Sequence, residues 1–242
     1  MDRVVHVGLL GFGTVGTGVI RILQDNAALI GQRAGTAIKI SKILVRDLGK
    51  NRQLTVDAEI TVDPDAVIQD PDIDIVVELM GGEEPARTMM LDALNHGKHV
   101  VTANKDVMAK FGRELFAAAE ANNVNLLFEA SGGGGIPIIR PLKRCLAANR
   151  ISEVMGIVNG TTNYMLDKMT SSGVDFASVL AEAQAKGYAE ADPTADVGGW
   201  DAARKIAILA SIAFGTRVSL DDVSVEGITG IEPEDIDYGR EL

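Results

Sequence analysis

Through the first half of the chain, apolar β-branched runs alternate with segments of helical spacing. Val4–Leu10, Ile38–Val45, Ile73–Leu79, His99–Thr102 and Val124–Phe128 are predominantly apolar and read as strands buried on both faces. Between them, Val15–Ile30, Pro85–Asn95 and Val107–Ala121 place apolar residues three and four apart, and Asn95 and Gly97 follow Leu94 as a helix stop. Strand–helix–strand repetition implies right-handed crossovers and a parallel sheet with helices on both sides. The pattern predicts a Rossmann-type, doubly wound α/β domain.

The pattern breaks at Ser131–Gly135, where four consecutive glycines cannot sustain a helix. A domain boundary is expected there, giving a nucleotide-binding domain over 1–130 and a second domain over 131–242. In the second part, Pro137–Leu146, Phe176–Lys186 and Trp200–Phe214 are helical in pattern and Val154–Val158 reads as a strand. The expected architecture is mixed α+β, a sheet covered on one face by helices.

Gly11-Phe12-Gly13-Thr14-Val15-Gly16 fits G-x-G-x-x-G directly after the first predicted strand and at the start of the first helix. In that context the first glycine permits a tight turn, the second lets backbone approach a pyrophosphate, and the third packs helix on strand. The second strand ends at Val45-Arg46-Asp47, where such domains read the adenosine ribose. An acid there suits the free 2′-hydroxyl of NAD and an arginine the 2′-phosphate of NADP. Arg46, with Lys50 and Arg52 nearby, tilts the reading toward NADP, while Asp47 leaves NAD open.

Composition narrows the class. A chain of 242 residues can bury a sizeable core, and one cysteine, Cys145, excludes an internal disulfide and a cysteine-rich metal scaffold. A reducing, cytoplasmic setting is expected. Net charge is −11, which argues against nucleic acid or anionic lipid as partner, although residues 221–242 alone carry eight acids and one base. No apolar run approaches the ~20 residues of a membrane span, and no leader pattern opens the chain, so a soluble, unexported protein is expected.

Two segments carry candidate chemistry. Val100–Lys105 runs off a strand into a Thr-Ala-Asn-Lys turn, at the sheet edge where ligands bind in open α/β folds, although a solvated turn lysine fits Lys105 equally by position. Gly187–Lys205 packs Glu190, Asp192, Asp196 and Asp201 with Tyr188 and Lys205 into one loop and the helix it enters. Asp201 and Lys205 are four apart and share a helix face, and the apolar run Ile206–Ala210 that follows implies a mostly buried helix whose charges need a reason. His96 and His99 straddle Gly97 without a third ligand, so no metal is assigned to them. His6 is read as a core or edge histidine and Cys145 as a small buried residue.

The residues Ala183, Gly187, Tyr188, Ala189, Asp192, Pro193, Asp196, Val197, Gly199, Asp201 and Lys205, at their spacing, resemble the signature of the homoserine dehydrogenase family. The loop GFGTVG, the turn VVTANK and the segment EASGGGGIPII resemble that family in the same order, so the likeness covers essentially the whole chain. It implies NAD(P)-dependent interconversion of L-homoserine and L-aspartate 4-semialdehyde, on the route to threonine, methionine and isoleucine, by a homodimer. By the same resemblance Lys105 and Lys205 are the catalytic lysines, with Asp201 beside Lys205. Glu190 and Asp196 are substrate-binding carboxylates, and Gly187 approaches the cofactor. Glu129, with the carbonyls of Gly132, Gly134 and Ile136, resembles a monovalent-cation site for sodium or potassium, as hard oxygen donors suit. The family usually carries a branched residue where Gly132 stands.

A charged lysine is an acid, which suits protonation of the alkoxide formed when the semialdehyde is reduced; Lys205 is read as that donor and Lys105 as an orienting or second acid group. Homoserine dehydrogenases normally continue beyond this length, so the resemblance implies a chain that is part of a longer fold. Two rivals stand: another amino-acid or semialdehyde oxidoreductase on the same fold, and a non-catalytic nucleotide-binding module. Aspartate-semialdehyde dehydrogenase chemistry needs a cysteine nucleophile, and Cys145 has no nearby histidine in sequence to activate it.

Overall fold

The structure, a computed structural model, describes residues 3–241. It divides into two compact units, 1–137 and 138–242. The glycine run lies within the first unit, because Ser131 and Gly132 are buried in a short helix that packs on the preceding helix and strand.

Unit one contains six strands: β1 (Val4–Leu10), β2 (Ala37–Leu44), β3 (Glu59–Thr61), β4 (Ile75–Glu78), β5 (His99–Thr102) and β6 (Leu126–Leu127). They form one parallel sheet in the order β3-β2-β1-β4-β5-β6. The register runs from Val4 opposite Ala37 to Leu10 opposite Leu44, and on the other side Leu10 opposes Glu78. The order reverses direction at β1, and the crevice at that switch point, outside the strand carboxyl ends, is where open α/β sheets bind ligands. The helices are α1 (Thr14–Asp25), α2 (Ala27–Ala34), α3 (Asp65–Ile68), α4 (Ala86–Asn95), α5 (Lys105–Ala121) and α6 (Glu129–Gly132). Leu9, Phe12, Ile20, Ile43 and Val45 form a core between sheet and helices.

The predicted helix over 15–30 is two helices. Asn26 has φ −116° and ψ 18°, and its side-chain amide donates to the Ile22 carbonyl at 3.1 Å, competing with the helix for an acceptor. β3 and α3 escape periodicity because three or four residues are too short to show a period.

Unit two contains α7 (Gly160–Ser172), α8 (Phe176–Ala185), α9 (Thr194–Val197), α10 (Trp200–Ala213) and α11 (Pro233–Glu241), with a π-helical turn at Pro141–Cys145. Met165, Met169, Val179, Ala183, Ala189 and Val197 form its core. The expected sheet is absent among the described residues: Val154–Val158 belongs to an irregular segment, with Met155 83% and Ile157 76% exposed. β-branched residues favour extended backbone, but a strand also needs a neighbour's N–H and C=O groups, and among the described residues of this unit no segment pairs with it. Cys145 is exposed in the π-helical turn, not buried as expected. No helix among the described residues is long and apolar enough to cross a membrane.

Candidate active site

In unit one the glycine loop joins β1 to α1 at the switch point. The Gly11 N–H donates to the Leu44 carbonyl at 3.0 Å, tying the loop to β2. A Cβ on Gly16 would stand 2.3 Å from the Gly11 carbonyl oxygen, so glycine is required for this close approach of helix to turn. α1 begins after Gly13 with no side-chain cap and no acid in its first turn, and a Cβ at Gly13 would meet nothing within 4 Å. The first-turn N–H donors and the positive end of the helix dipole are thus left for an anion, with room for backbone to touch it.

A cavity of about 490 Å³ opens beside this loop, lined by Gly11, Phe12, Gly13, Arg46, Asp47, Lys50 and Arg52 among others. It brings the glycine loop and the ribose-reading residues together. One Asp47 carboxylate oxygen accepts from the Gly49 N–H at 2.7 Å and is engaged in its own turn. Arg52 holds that loop: its guanidinium donates to the carbonyls of Asp47 (2.8 Å) and Lys50 (3.0 Å) and lies 5.5 Å from the Phe12 ring centre. Its Nε is buried without a partner.

Lys105 is the first residue of α5, and a buried network fixes where that helix starts. Glu78, fully buried at the end of β4, accepts from the Met80 N–H (2.8 Å) and from the Thr102 hydroxyl (2.6 Å). The Thr102 hydroxyl in turn accepts from the Asn104 N–H at 2.9 Å. Asn104 caps α5 through the Val107 N–H (3.1 Å) and donates to the Gly82 carbonyl (2.7 Å). The turns after β4 and β5 are therefore one hydrogen-bonded piece. Sequence reasoning passed over Glu78, although a carboxylate inside the apolar run Ile75–Leu79 is the signal that marks it. Glu129 opens α6 and Gly132 closes it, with Ile136 two-thirds exposed beyond the glycine turn.

In unit two, Asp196, Asp201 and Lys205 come together. Gly199, at φ +82°, starts α10, and a Cβ there would stand 2.8 Å from the Glu226 carbonyl oxygen. Asp201 lies in the first turn of α10 and Lys205 one turn on; Nζ is 2.6 Å from Asp201 Oδ2, and the two side chains are 7% and 18% exposed. Nζ also donates to the Val158 carbonyl at 2.7 Å. An ammonium has three donors, so two acceptors hold it and leave one N–H for a ligand. Asp196 on α9 reaches the same cluster through Asn159, whose Nδ2 donates to Asp196 Oδ1 (2.7 Å) and Asp201 Oδ2 (2.9 Å). Sequence reasoning missed Asn159; the run Asn-Gly-Thr-Thr before a helix is an N-cap signature that could have drawn attention to it.

Gly187 ends α8, its N–H donating to the Gln184 carbonyl at 3.0 Å, and Glu190 is exposed three residues on. The intervening turn is braced: the Thr161 hydroxyl donates to the Tyr188 carbonyl at 2.7 Å, and the Tyr188 and Tyr164 rings meet edge to face at 4.9 Å. Lys186 pairs with Glu182 and donates to the Tyr164 hydroxyl at 2.9 Å, and the Glu182 carboxylate pushes the exposed Lys186 well above the usual lysine range. Asp192 accepts from the Thr194 hydroxyl (2.6 Å) and N–H (3.1 Å), which hold its carboxyl below the ordinary range. It caps its own turn. Neither Gly187 nor Glu190 is hydrogen-bonded to the Asn159 cluster.

A family model described as homoserine dehydrogenase, NAD binding domain, matches residues 11–129, and one described as homoserine dehydrogenase matches 137–242. The homoserine dehydrogenase of Synechocystis is 54% identical over 98% of this chain and 55% of its own length. The crystal structure of a homoserine dehydrogenase from Thiobacillus denitrificans superposes with a TM-score of 0.95 at 50% identity, covering 99% of this chain and 56% of that one. A hyperthermophilic archaeal homoserine dehydrogenase solved in complex with NADPH matches with a TM-score of 0.80 at 26% identity, over 96% of this chain and 76% of that one. The chain thus spans little more than half the length of the curated relatives it matches. On the two domain matches and on half-identity along nearly all of its residues, the chain belongs to the homoserine dehydrogenase family.

Proposed function

We propose that the whole protein interconverts L-homoserine and L-aspartate 4-semialdehyde with NADP(H) in amino-acid biosynthesis. The observation that carries this reading is the buried Asp201–Lys205 pair, whose ammonium is held by two acceptors with one donor left over. A bound nicotinamide supplies or accepts the hydride, and the chain's own task is to place the substrate carbon and move one proton. In reduction, the spare Lys205 N–H gives its proton to the aldehyde oxygen as the carbon takes the hydride. Oxidation of homoserine needs a neutral lysine or a water to take the proton, so the rate from homoserine is expected to rise toward alkaline pH. Lys105 is the orienting or second acid group, and Glu190 and Asp196 take the substrate's amino group.

The glycine loop fits a dinucleotide: α1 presents uncapped N–H donors, and the adjoining cavity holds the cations Arg46 and Lys50. Gly11 to Gly16 would hold the pyrophosphate, and a cofactor-binding role for Gly187 follows from the family resemblance alone. NADP is favoured over NAD because Arg46 and Lys50 line the cavity beside Asp47, one of whose carboxylate oxygens is engaged by the Gly49 N–H. Bound NADPH in the archaeal relative agrees. Glu129 with the carbonyls of Gly132, Gly134 and Ile136 is an all-oxygen donor set suited to sodium or potassium, which would stiffen the glycine turn. A homodimer belongs to this reading, supported by exposed Met155 and Ile157 on a segment without a strand partner among the described residues.

Nicotinamide absorbance with L-homoserine, run in parallel with NAD and NADP and with and without potassium, tests these points together. Turnover faster with NADP and stimulated by potassium is expected. A preference for another hydroxy acid or amino acid over L-homoserine would overturn the substrate assignment, and cofactor binding without turnover would favour a nucleotide-binding module.

A further inference from the structure

We infer that Asn159 is a positioning residue for the proton-transfer lysine: its amide holds Asp196 and Asp201 apart and aims Asp201 at Lys205. The inference rests on the reading of Lys205 given above.

Asn159 is only 9% exposed and every polar atom of its side chain is used. Oδ1 accepts from the Thr162 N–H (2.8 Å) and hydroxyl (2.9 Å), while Nδ2 donates to Asp196 (2.7 Å) and Asp201 (2.9 Å). Only one orientation of the amide satisfies this set, since a carboxylate needs a donor and an N–H needs an acceptor. The residue therefore does two separable jobs. Through Oδ1 it caps α7, as serine, threonine or aspartate would do as well. Through Nδ2 it places two N–H groups between two carboxylates on different helices, which only a primary amide of this length does.

The second job bears on the chemistry. Asp201 Oδ2 accepts from both Asn159 and Lys205, so the amide fixes the lone-pair direction in which Nζ is held. Val158, whose carbonyl is the lysine's other acceptor, is the residue directly before Asn159. One short stretch of backbone and side chain thus sets both bonds that orient the ammonium. Without the amide, Asp196 and Asp201 face each other as like charges in a partly desolvated place, and the cheapest relief is for Asp201 to turn away, taking Lys205 with it.

The test separates the jobs. Asn159→Ser and Asn159→Asp both keep an acceptor for the Thr162 N–H but lose the bridging donors, whereas Asn159→Ala loses everything. In the whole protein, kcat with the semialdehyde is expected to fall on the order of tenfold to a hundredfold in all three, with the KM for NADPH unchanged, since a displacement of the reacting group near 1 Å costs about that much. A residue that only caps α7 would leave Ser and Asp like wild type and impair Ala alone, by lowering its melting temperature; that result would overturn the inference. A crystal structure of the Ser variant gives an answer independent of turnover. Asp201 rotated away from Lys205 supports the inference, and an unchanged contact between them overturns it. Absence of turnover in the wild-type protein would count against the proposed reaction, and the Ser structure would still decide the role of Asn159.

Discussion

The two candidate clusters, one in each unit, are made from different materials. The nucleotide crevice of unit one is built from backbone: a glycine loop tied to Leu44, an uncapped helix N-terminus, and a turn held by Arg52 through main-chain carbonyls. The cluster of unit two is built from side chains, where Asp196, Asn159, Asp201 and Lys205 form a chain of hydrogen bonds with Asn159 and Asp201 buried at its centre. A backbone site depends on residues being small enough to let the main chain approach. A side-chain site depends on which groups are present and on their charge. The first should therefore fail by steric damage and lose binding, and the second by lost charge and lose turnover.

The largest effect is expected at Lys205. Lys205→Ala removes the proton donor and takes from the buried Asp201 carboxylate its ammonium counter-charge. Turnover should drop by about 10²–10⁴, the usual contribution of a placed general acid, while the KM for NADP stays near wild type. Stability should fall as well, by about 3–5 kcal/mol in urea unfolding, because breaking a buried pair strands its partner. Wild-type turnover in this variant would remove Lys205 from the mechanism and leave the cluster as scaffolding.

Gly16→Ala should do the converse. The new methyl would lie 2.3 Å from the Gly11 carbonyl oxygen and must push α1 off the loop, at a cost of about 1–3 kcal/mol. Calorimetric titration should show cofactor affinity down at least about tenfold, with kcat at saturating cofactor nearly kept. A smaller effect is expected from Arg46→Ser, which removes a cation from the cavity wall. It should weaken NADP by about tenfold and leave NAD unaffected, and equal losses for both would show that Arg46 does not read the 2′-phosphate.

How much of this was legible follows the same division. Strands β1 and β5 matched the apolar runs residue for residue, and the glycine loop was placed by spacing, because a parallel sheet and a backbone site write their requirements into neighbouring positions. The Asp201–Lys205 pair was legible as a helical i, i+4 spacing. Glu78 and Asn159 were not read: a carboxylate in an apolar run and an N-cap asparagine mark them locally, but the partners that give them a role lie 24 and 37 residues away, which no local pattern records. Val154–Val158 failed in the opposite sense: its composition favours a strand, but pairing needs a second segment, and unit two supplies none among the described residues. A helix that periodicity had drawn whole is broken at Asn26, where the backbone leaves helical geometry at φ −116° and ψ 18°.

The smallest effect probes whether an ion pair that belongs to neither cluster behaves as scaffolding. Lys42 on β2 lies 2.8 Å from Asp70, with both side chains mostly buried. The hydrogen bond from Lys42, together with the Asp72 N–H, holds the Asp70 carboxyl below its ordinary value of 3.8, and at Asp74 the His6 N–H and Arg3 act in the same direction. A carboxyl whose folded value is depressed binds fewer protons folded than unfolded, so its contribution is fully present above the unfolded value and is lost as pH falls through the folded one. Stability of unit one should therefore be level above about pH 5 and decline in the acid range below 3.8. Asp70→Asn should flatten that decline and lower the urea midpoint at neutral pH, with turnover and cofactor affinity unchanged. Had Lys42–Asp70 carried function as Asp201–Lys205 is argued to do, the same neutralisation would cut kcat; a pair that alters only the acid limb of stability belongs to the sheet.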